Sequence, residues 1–193
     1  MKVIGLTGGI GSGKTSLLPV FDEENIPIFN ADQIAKQLQN NELKDAISAQ
    51  FGSGIFKEGV LDRKQLASIV FKDQAQLKIL NRLVHPAVAN AFENFKKMHQ
   101  EAKLVVKEAA ILFETGAAEN CDYTILVTAD ENNRIDRIMK RDEGLSKEKI
   151  KARMAQQWPD EKKVLLADFI VINENLNEAK KNLRKIISYL ESL

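Results

Sequence analysis

The sequence has little that would support a disulfide, a membrane span or a strongly charged surface. One cysteine, Cys121, excludes an intramolecular disulfide and a cysteine-rich zinc site, and it fits a reducing compartment. Lys and Arg total 28 against 27 Asp and Glu, so the chain lacks the basic surplus used to bind nucleic-acid backbones. Apolar runs stay below the ~18–20 residues of a membrane span, and the first residues show no signal-peptide pattern. We therefore expect a cytoplasmic protein without nucleic-acid or membrane partners.

Aromatic residues are also few, at 6%, but the remaining composition is that of an ordinary globular protein. Hydrophobic residues make up 44% and charged residues 28%, which excludes disorder as the main state. A length of 193 residues suffices for one core with insertions and is too short for two full-sized domains.

Short apolar runs alternate with segments of helical periodicity. Strands are predicted over residues 2–7, 27–30, 104–108, 123–127 and 169–172. Helices are predicted over residues 14–24, 31–39 and 132–141, from a Ser146 cap through Gln157, and along the last apolar face through Leu190. This alternation predicts an α/β fold with a five-stranded parallel sheet covered by helices on both faces.

Two segments interrupt the alternation. Residues 41–100 contain no convincing strand and predict a helical insertion, with helices over 43–51, 62–71, 74–84 and 86–98 and a break at His85-Pro86. Residues 131–163 predict a smaller, charged insertion that includes a turn over 142–146.

Half of the ten glycines lie in the first thirteen residues, and four of these five are in the segment GGIGSGKT at 8–15. This segment fits the phosphate-binding pattern G-x-x-x-x-G-K-[ST] and lies between a predicted strand and a predicted helix, as that motif requires. Glycines let backbone N–H groups turn inward around phosphates, the Lys14 amine reaches the β- and γ-phosphates, and the Thr15 hydroxyl ligates Mg²⁺. The residues predicted to bind the nucleotide are Gly11, Ser12, Gly13, Lys14, Thr15 and Ser16.

Other classes of phosphate-loop protein are excluded by missing motifs. The N-K-x-D and D-x-x-G motifs of GTPases do not occur, and neither does the L-S-G-G-Q motif of transporter ATPases. A short kinase with an acceptor-binding insertion and a lid remains.

The motifs that follow the loop resemble those of dephospho-CoA kinases. They occur in that family's order from Gly5 to Asn173: LTGGIGSGKTS, NADQIAKQL, GVLDRKQLASIVF, LNRLVHPAV, ILFE, RIMKRD and ADFIVIN. The resemblance implies transfer of the ATP γ-phosphoryl group to the ribose 3′-hydroxyl of dephospho-CoA, with Mg²⁺. The family usually shows D-A-D where this chain has Asn30-Ala31-Asp32, and D-x-P-L-L-F-E where it has EAAILFE at 108–114.

The resemblance also implies roles for single residues, each with a plainer alternative. Asp32 prepares the attacking hydroxyl, or it only interacts with a helix dipole. Glu108 holds the metal or its water shell, or it is a surface carboxylate. His85 and Glu114 face the acceptor, or they are ordinary loop residues. Arg137 and Arg141 neutralise the transferred phosphoryl group on lid closure, or they form surface salt bridges.

The predicted organisation assigns residues 1–32, 101–130 and 164–193 to the nucleotide-binding core. Residues 33–100 form the acceptor domain and residues 131–163 the lid. We expect a monomer or weak homo-oligomer. A nucleoside or nucleotide kinase with another acceptor, and an ATP-dependent binding switch, are the alternative functions.

Overall fold

The computed structural model describes residues 1–70, 72–142 and 144–193. Phe71, the last residue of a predicted helix, and Glu143, within a predicted turn, lie outside them. The chain divides into two compact units. The first, the sheet unit, comprises Met1–Asn30 and His99–Leu193, and the second, the helical unit, comprises Ala31–Met98.

The sheet unit contains a five-stranded parallel sheet, which confirms the predicted fold class. The strands are β1 (Lys2–Thr7), β2 (Ile28–Asn30), β5 (Leu104–Glu108), β6 (Tyr123–Thr128) and β7 (Phe169–Ile172), with β3 and β4 belonging to the helical unit. Their order is β2-β5-β1-β6-β7. In register, Leu6 of β1 pairs with Glu108 of β5, and Thr7 pairs with Leu126 of β6. The carboxyl ends of these central strands therefore lie side by side.

Helices α1 (Lys14–Glu23) and α9 (Leu176–Ser192) pack on one face of this sheet. Alternate strand residues, such as Ile4 and Leu6, point to these helices, as the period of a strand requires. The helices contribute Leu17, Phe21 and Leu183 to the same core, all nearly inaccessible to solvent. This burial stabilises the end of β1 from which the phosphate loop departs.

Three further helices lie between β6 and β7. They are α6 (Glu131–Arg141), α7 (Lys147–Met154) and α8 (Asp160–Val164). Asp130 caps α6 by accepting from the N–H of Asn132, and Ser146 caps α7 as predicted. The predicted extension of α7 to Gln157 is wrong because the helix ends at Met154, and α8 was not predicted.

The helical unit contains α2 (Ala31–Asn40), α3 (Lys44–Phe51), α4 (Arg63–Val70) and α5 (Gln74–Met98). The prediction that this region has no strand is wrong, because β3 (Phe56–Lys57) and β4 (Val60–Leu61) form an antiparallel hairpin. Glu58 and Gly59 at its turn have φ of 50° and 83°, the two positive values of a type I′ turn. Two-residue strands are too short for periodicity to reveal.

The predicted break at His85-Pro86 is also wrong, since α5 continues through Pro86. Proline removes one helical hydrogen bond, the one that the Arg82 carbonyl would accept. Leu80 and Val84 before the proline and Val88 after it pack into the same hydrophobic cluster, and this burial holds the helix together. Across the residues that the structure describes, no helix combines the length and apolarity needed to cross a membrane.

Candidate active site

The phosphate loop, residues 8–15, connects β1 to α1 in the sheet unit. Gly11 and Gly13 have φ of 81° and 89°, which residues with a Cβ rarely adopt. A Cβ on Gly13 would lie 2.2 Å from Nδ2 of Asn173, and one on Gly11 would lie 2.6 Å from the Arg134 carbonyl oxygen. Both glycines are therefore needed for conformation and for space.

Gly13 is also the N-cap residue of α1, and no side chain caps that helix end. Helix N-termini carry N–H groups without helical partners and a partial positive charge, so they bind anions. Thr15 and Ser16, in the first turn, are exposed. The loop therefore has the backbone geometry of an anion site, and nucleotide binding by its residues stays a prediction.

Lys14 and Glu108 form a buried pair beside this loop. The Lys14 ammonium donates to the Gly8 carbonyl at 2.7 Å and lies 3.9 Å from Oε1 of Glu108. Their side chains are only 10% and 8% exposed. The pair arises because Glu108 ends β5 next to the end of β1, the edge where open α/β sheets bind ligands. Glu108 is therefore not the surface carboxylate of the alternative interpretation.

Arg137 and Asn173 support the loop from α6 and from the end of β7. Asn173 is buried, and its Nδ2 donates to the Ser12 carbonyl at 2.8 Å. Arg137 donates to the Asn173 carbonyl at 2.6 Å and approaches the carbonyls of Gly11 and Ser12 at 3.5 and 3.4 Å. The structure thus brings the guanidinium of Arg137 to the loop, and its role toward the transferred phosphoryl group stays a prediction. The role of Asn173 was missed, although it directly follows a predicted strand.

Arg141 is placed differently from Arg137. It is exposed and forms two hydrogen bonds with Asp142, at 2.8 and 3.0 Å. This pairing raises the pKa of Arg141 and lowers the pKa of the Asp142 carboxyl. Arg153 of α7 approaches the same carboxylate at 3.4 Å. These contacts match the surface salt-bridge alternative for Arg141.

Glu114 lies in the loop after β5 and faces the segment around α8. Its Oε1 accepts from the backbone N–H of Trp158 at 3.0 Å and lies 2.9 Å from the Lys163 ammonium. The Lys163 side chain is completely buried. In the structure Glu114 therefore contacts the Trp158 backbone and the Lys163 side chain. Its role toward the acceptor stays a prediction.

Two more polar residues missed by the sequence analysis contact the loop at Ile10. The Ile10 N–H donates to Oε1 of Gln157 at 2.8 Å, and the Ile10 carbonyl accepts from Nε of Arg134 at 3.0 Å. Both side chains come from the predicted lid, and the sequence analysis gave neither of them a role. Their contact with the loop could not be predicted, because Ile10 lies more than a hundred residues away in the sequence.

In the helical unit, Asp32 lies in the first turn of α2, two residues after the end of β2. His85 lies within α5 rather than in the predicted loop. An open cavity of about 340 Å³ lies along this helix and is lined by Lys78, Asn81, Arg82, His85 and Pro86. This groove, called the α5 groove below, has no carboxylate among those residues. It is suited to an anionic ligand.

The chain matches the family model described as dephospho-CoA kinase over residues 2–178. A dephospho-CoA kinase from Chlorobaculum tepidum is 38% identical, covering 97% of this chain and 94% of the relative. One from Aquifex aeolicus is 35% identical, covering 98% of both chains.

Solved structures give a concordant picture. A dephospho-CoA kinase from Campylobacter jejuni has a TM-score of 0.71 at 30% identity, covering 98% of this chain and 97% of its own. TT1252 from Thermus thermophilus reaches 0.88 at 32% identity, covering 97% of this chain and 96% of its own. A shikimate kinase from Bacteroides thetaiotaomicron shares the fold at a TM-score of 0.51 and 13% identity, covering 98% of both chains.

Proposed function

The chain belongs to the dephospho-CoA kinase family and transfers the γ-phosphoryl group of ATP to the 3′-hydroxyl of dephospho-CoA, and from this premise we propose how its own residues perform the transfer. The products are CoA and ADP, and the reaction is a step of CoA biosynthesis. The observation that carries the proposal is the buried Lys14–Glu108 pair beside an uncapped, glycine-lined helix N-terminus.

The donor site is proposed to be the phosphate loop. Backbone N–H groups from Gly11 to Ser16 bind the ATP phosphates, and the Lys14 ammonium neutralises charge on the β- and γ-phosphates. In the structure that ammonium donates to the Gly8 carbonyl, a neutral acceptor. A phosphate oxygen is a stronger, charged acceptor at the same loop.

Mg²⁺ is proposed to accompany ATP. The ion prefers one or two protein oxygens together with phosphate and water ligands, rather than an all-protein cage. Thr15 provides an exposed hydroxyl and Glu108 a carboxylate beside the loop, which fits this preference. Within residues 1–70, 72–142 and 144–193, no cluster of three carboxylate, His or Cys ligands forms a cage. When bound, the ion would draw charge from the transferred phosphoryl group.

Asp32 is proposed as the residue that accepts or orients the proton of the attacking 3′-hydroxyl. Asp32 lies between the end of β2 and the rest of α2, so regular secondary structure fixes the backbone on both sides of it. Orientation of the hydroxyl and stabilisation of charge are the main protein contributions in phosphoryl transfer.

Two arginines are proposed to stabilise the transition state to different extents. Arg137 already lies against the carbonyls of the phosphate loop, so its charge is fixed near the phosphates. Arg141 would have to leave Asp142, to which it forms two hydrogen bonds. We therefore assign the larger part to Arg137.

The helical unit is proposed to bind the acceptor, with residues 131–163 as the lid over the donor. Dephospho-CoA carries a diphosphate, and the α5 groove offers Lys78, Arg82 and His85 to it. Glu114 and His85 are kept as acceptor residues by family resemblance. The enzyme is proposed to act in the cytoplasm as a monomer or weak homo-oligomer, without nucleic-acid or membrane partners.

A coupled ADP-release assay with ATP, Mg²⁺ and a panel of acceptors tests the function. Dephospho-CoA should be used with a kcat/KM at least about 100-fold above those of nucleosides and nucleotides, because binding energy from the whole acceptor positions its hydroxyl. A preference for a nucleoside or nucleotide would contradict the acceptor assignment. Slow hydrolysis indifferent to every acceptor would instead indicate a binding switch.

A further inference from the structure

The backbone N–H and the backbone carbonyl of Ile10 are both held by side chains from far along the chain. Its N–H donates to Gln157 at 2.8 Å, and its carbonyl accepts from Arg134 at 3.0 Å. Ile10 immediately precedes Gly11, whose φ is 81°. This N–H and this carbonyl belong to the two successive peptide groups that flank the Ile10 Cα. Neither peptide group can rotate without breaking its hydrogen bond, so the backbone entering Gly11 is fixed as well.

Both side chains are themselves held in place. Nε2 of Gln157 donates to the Ala110 carbonyl at 3.1 Å, in the loop after β5. Arg134 is only 8% exposed and forms an ion pair with Asp160 at 3.0 Å, and the same Asp160 oxygen accepts from Thr128. The two side chains that contact Ile10, Gln157 and Arg134, are therefore themselves bound to buried or partly buried groups and not to solvent.

The segment Gln157–Lys163, called the brace below, is fixed along its length. Trp158 and Lys163 are bound to Glu114, and Asp160 is bound to Arg134. Helix α7 is held by apolar packing instead, because Ile150 is completely buried against Ile135 and Ile138 of α6, and Ile10 packs against the same cluster. Its ion pair to α6 adds little to stability, since Lys151–Glu131 spans 3.7 Å with both side chains more than 60% accessible. The predicted lid of residues 131–163 therefore contacts the phosphate loop through the polar groups of the brace and of Arg134 and through this apolar cluster.

We propose that Gln157 and Arg134 are positioning residues that preorganise the phosphate loop for ATP. A loop already held in its binding conformation loses less conformational freedom when the nucleotide binds. Gln157 touches no phosphate-binding N–H itself, so it acts through Ile10. The proposal rests on the loop binding ATP and is independent of the identity of the acceptor.

The test replaces Gln157 by Asn, which keeps the amide but is one methylene too short to span Ile10 and Ala110. Gln157→Met, similar in length and without the amide, is the second variant. Gln156→Met is the matched control, because Gln156 is the exposed neighbour. Calorimetry measures Kd for ADP and for dephospho-CoA, with the melting temperature of each variant as a check of folding.

We expect Kd for ADP to rise about 5- to 10-fold in both variants, the equivalent of roughly one hydrogen bond. Kd for dephospho-CoA and the Gln156→Met control should not change, and KM for ATP should rise while kcat at saturating ATP stays within about 3-fold. An unchanged Kd for ADP, or an equal loss for both ligands, overturns the proposal. Binding is measured without turnover, so an enzyme inactive on dephospho-CoA would contradict the proposed function and leave this result intact.

Hydrogen exchange on the unaltered protein is a second measurement that needs no variant. The Ile10 amide should exchange slowly without nucleotide, because its hydrogen bond to Gln157 protects it. Rapid exchange at Ile10 would overturn the proposal.

Discussion

The ammonium group of Lys163 lies 2.9 Å from Oε1 of Glu114, and its side chain is completely buried. Glu114 is 12% exposed and also accepts from the backbone N–H of Trp158. The cost of burying a charge falls when an opposite charge and hydrogen bonds accompany it. This pair therefore joins α8 to the loop after β5, and it depends on both partners.

Lys163→Met should destabilise the protein by about 3–5 kcal/mol, because Glu114 would remain buried without its counter-charge. Urea unfolding measures the loss. Lys185→Met on the exposed face of α9 is the control and should change stability little. Adding Glu114→Gln to Lys163→Met should recover part of the stability. A loss below about 1 kcal/mol in the single variant would show that the pair is not a structural requirement.

Lys14→Ala should lower turnover at least about 100-fold and weaken ATP binding, because both the bound ground state and the transition state use this charge. Steady-state kinetics with dephospho-CoA, together with calorimetry for ATP, separate the two effects. Lys185→Ala provides a control at an exposed site. Wild-type kinetics for Lys14→Ala would contradict the assignment of the phosphate loop.

Asp32→Asn should retain ADP affinity and lose turnover by about 100-fold or more, since the amide cannot take the hydroxyl proton. Asp45→Asn is a matched control, because Asp45 also lies in the first turn of a helix, α3. The Asp45→Asn variant shows how much turnover is lost when a carboxylate is removed from the first turn of a helix without any role in catalysis. Near-normal turnover of Asp32→Asn, or an equal loss in both variants, would remove Asp32 as the base.

Lys78→Ala and Arg82→Ala should each raise KM for dephospho-CoA about 10-fold, the effect of losing one charged hydrogen bond, and leave KM for ATP unchanged. In the part of the chain that the structure describes, neither side chain forms an ion pair, so no internal partner is lost. Lys97→Ala is the control on an exposed position of the same helix. Unchanged KM in both variants would show that the acceptor does not use the α5 groove.

Burial raises the pKa of the Cys121 thiol to about 11. At pH 8 the native thiolate fraction should be about 200-fold smaller than in an unfolded chain, whose thiol has a pKa near 8.5. Alkylation should therefore be slow in buffer and fast in denaturant. Equal alkylation rates in both would contradict the burial of this thiol.

The same shift makes stability depend on alkaline pH. Between about pH 8.5 and 11 the unfolded chain releases the thiol proton and the native chain keeps it, so unfolding becomes easier as pH rises. Denaturant unfolding across this range should show the decline. Cys121→Ala should flatten it, and an unchanged slope would assign the decline to other groups.

The sequence predicted best what depends on local pattern. Each central strand is a short apolar run, and the loop motif specifies its own turn, so β1, β5 and the phosphate loop were found without tertiary information. The position of Glu108 at the end of a predicted strand, where many phosphate-loop enzymes place an acid that holds the metal, likewise made it a candidate.

What the sequence did not reveal depends on distant partners. Gln157 and Lys163 have ordinary surface side chains, and their contacts at Ile10 and Glu114 exist only in the folded chain. His85-Pro86 was read as a break between two helices because proline locally disrupts a helix, but burial of the residues around Pro86 outweighs that effect. In each case, contacts made only in the folded chain decide a structure that the local sequence leaves open.

The position of β1 in the sheet has a consequence for synthesis. Its neighbours are β5 and β6, which begin at Leu104 and Tyr123, so the strand made first has no partner until most of the chain has left the ribosome. The helical unit, by contrast, is one continuous segment with its own hydrophobic core. On a growing chain the middle of the protein can fold before its beginning, and nucleotide binding by the first fifteen residues has to wait for residues near the end.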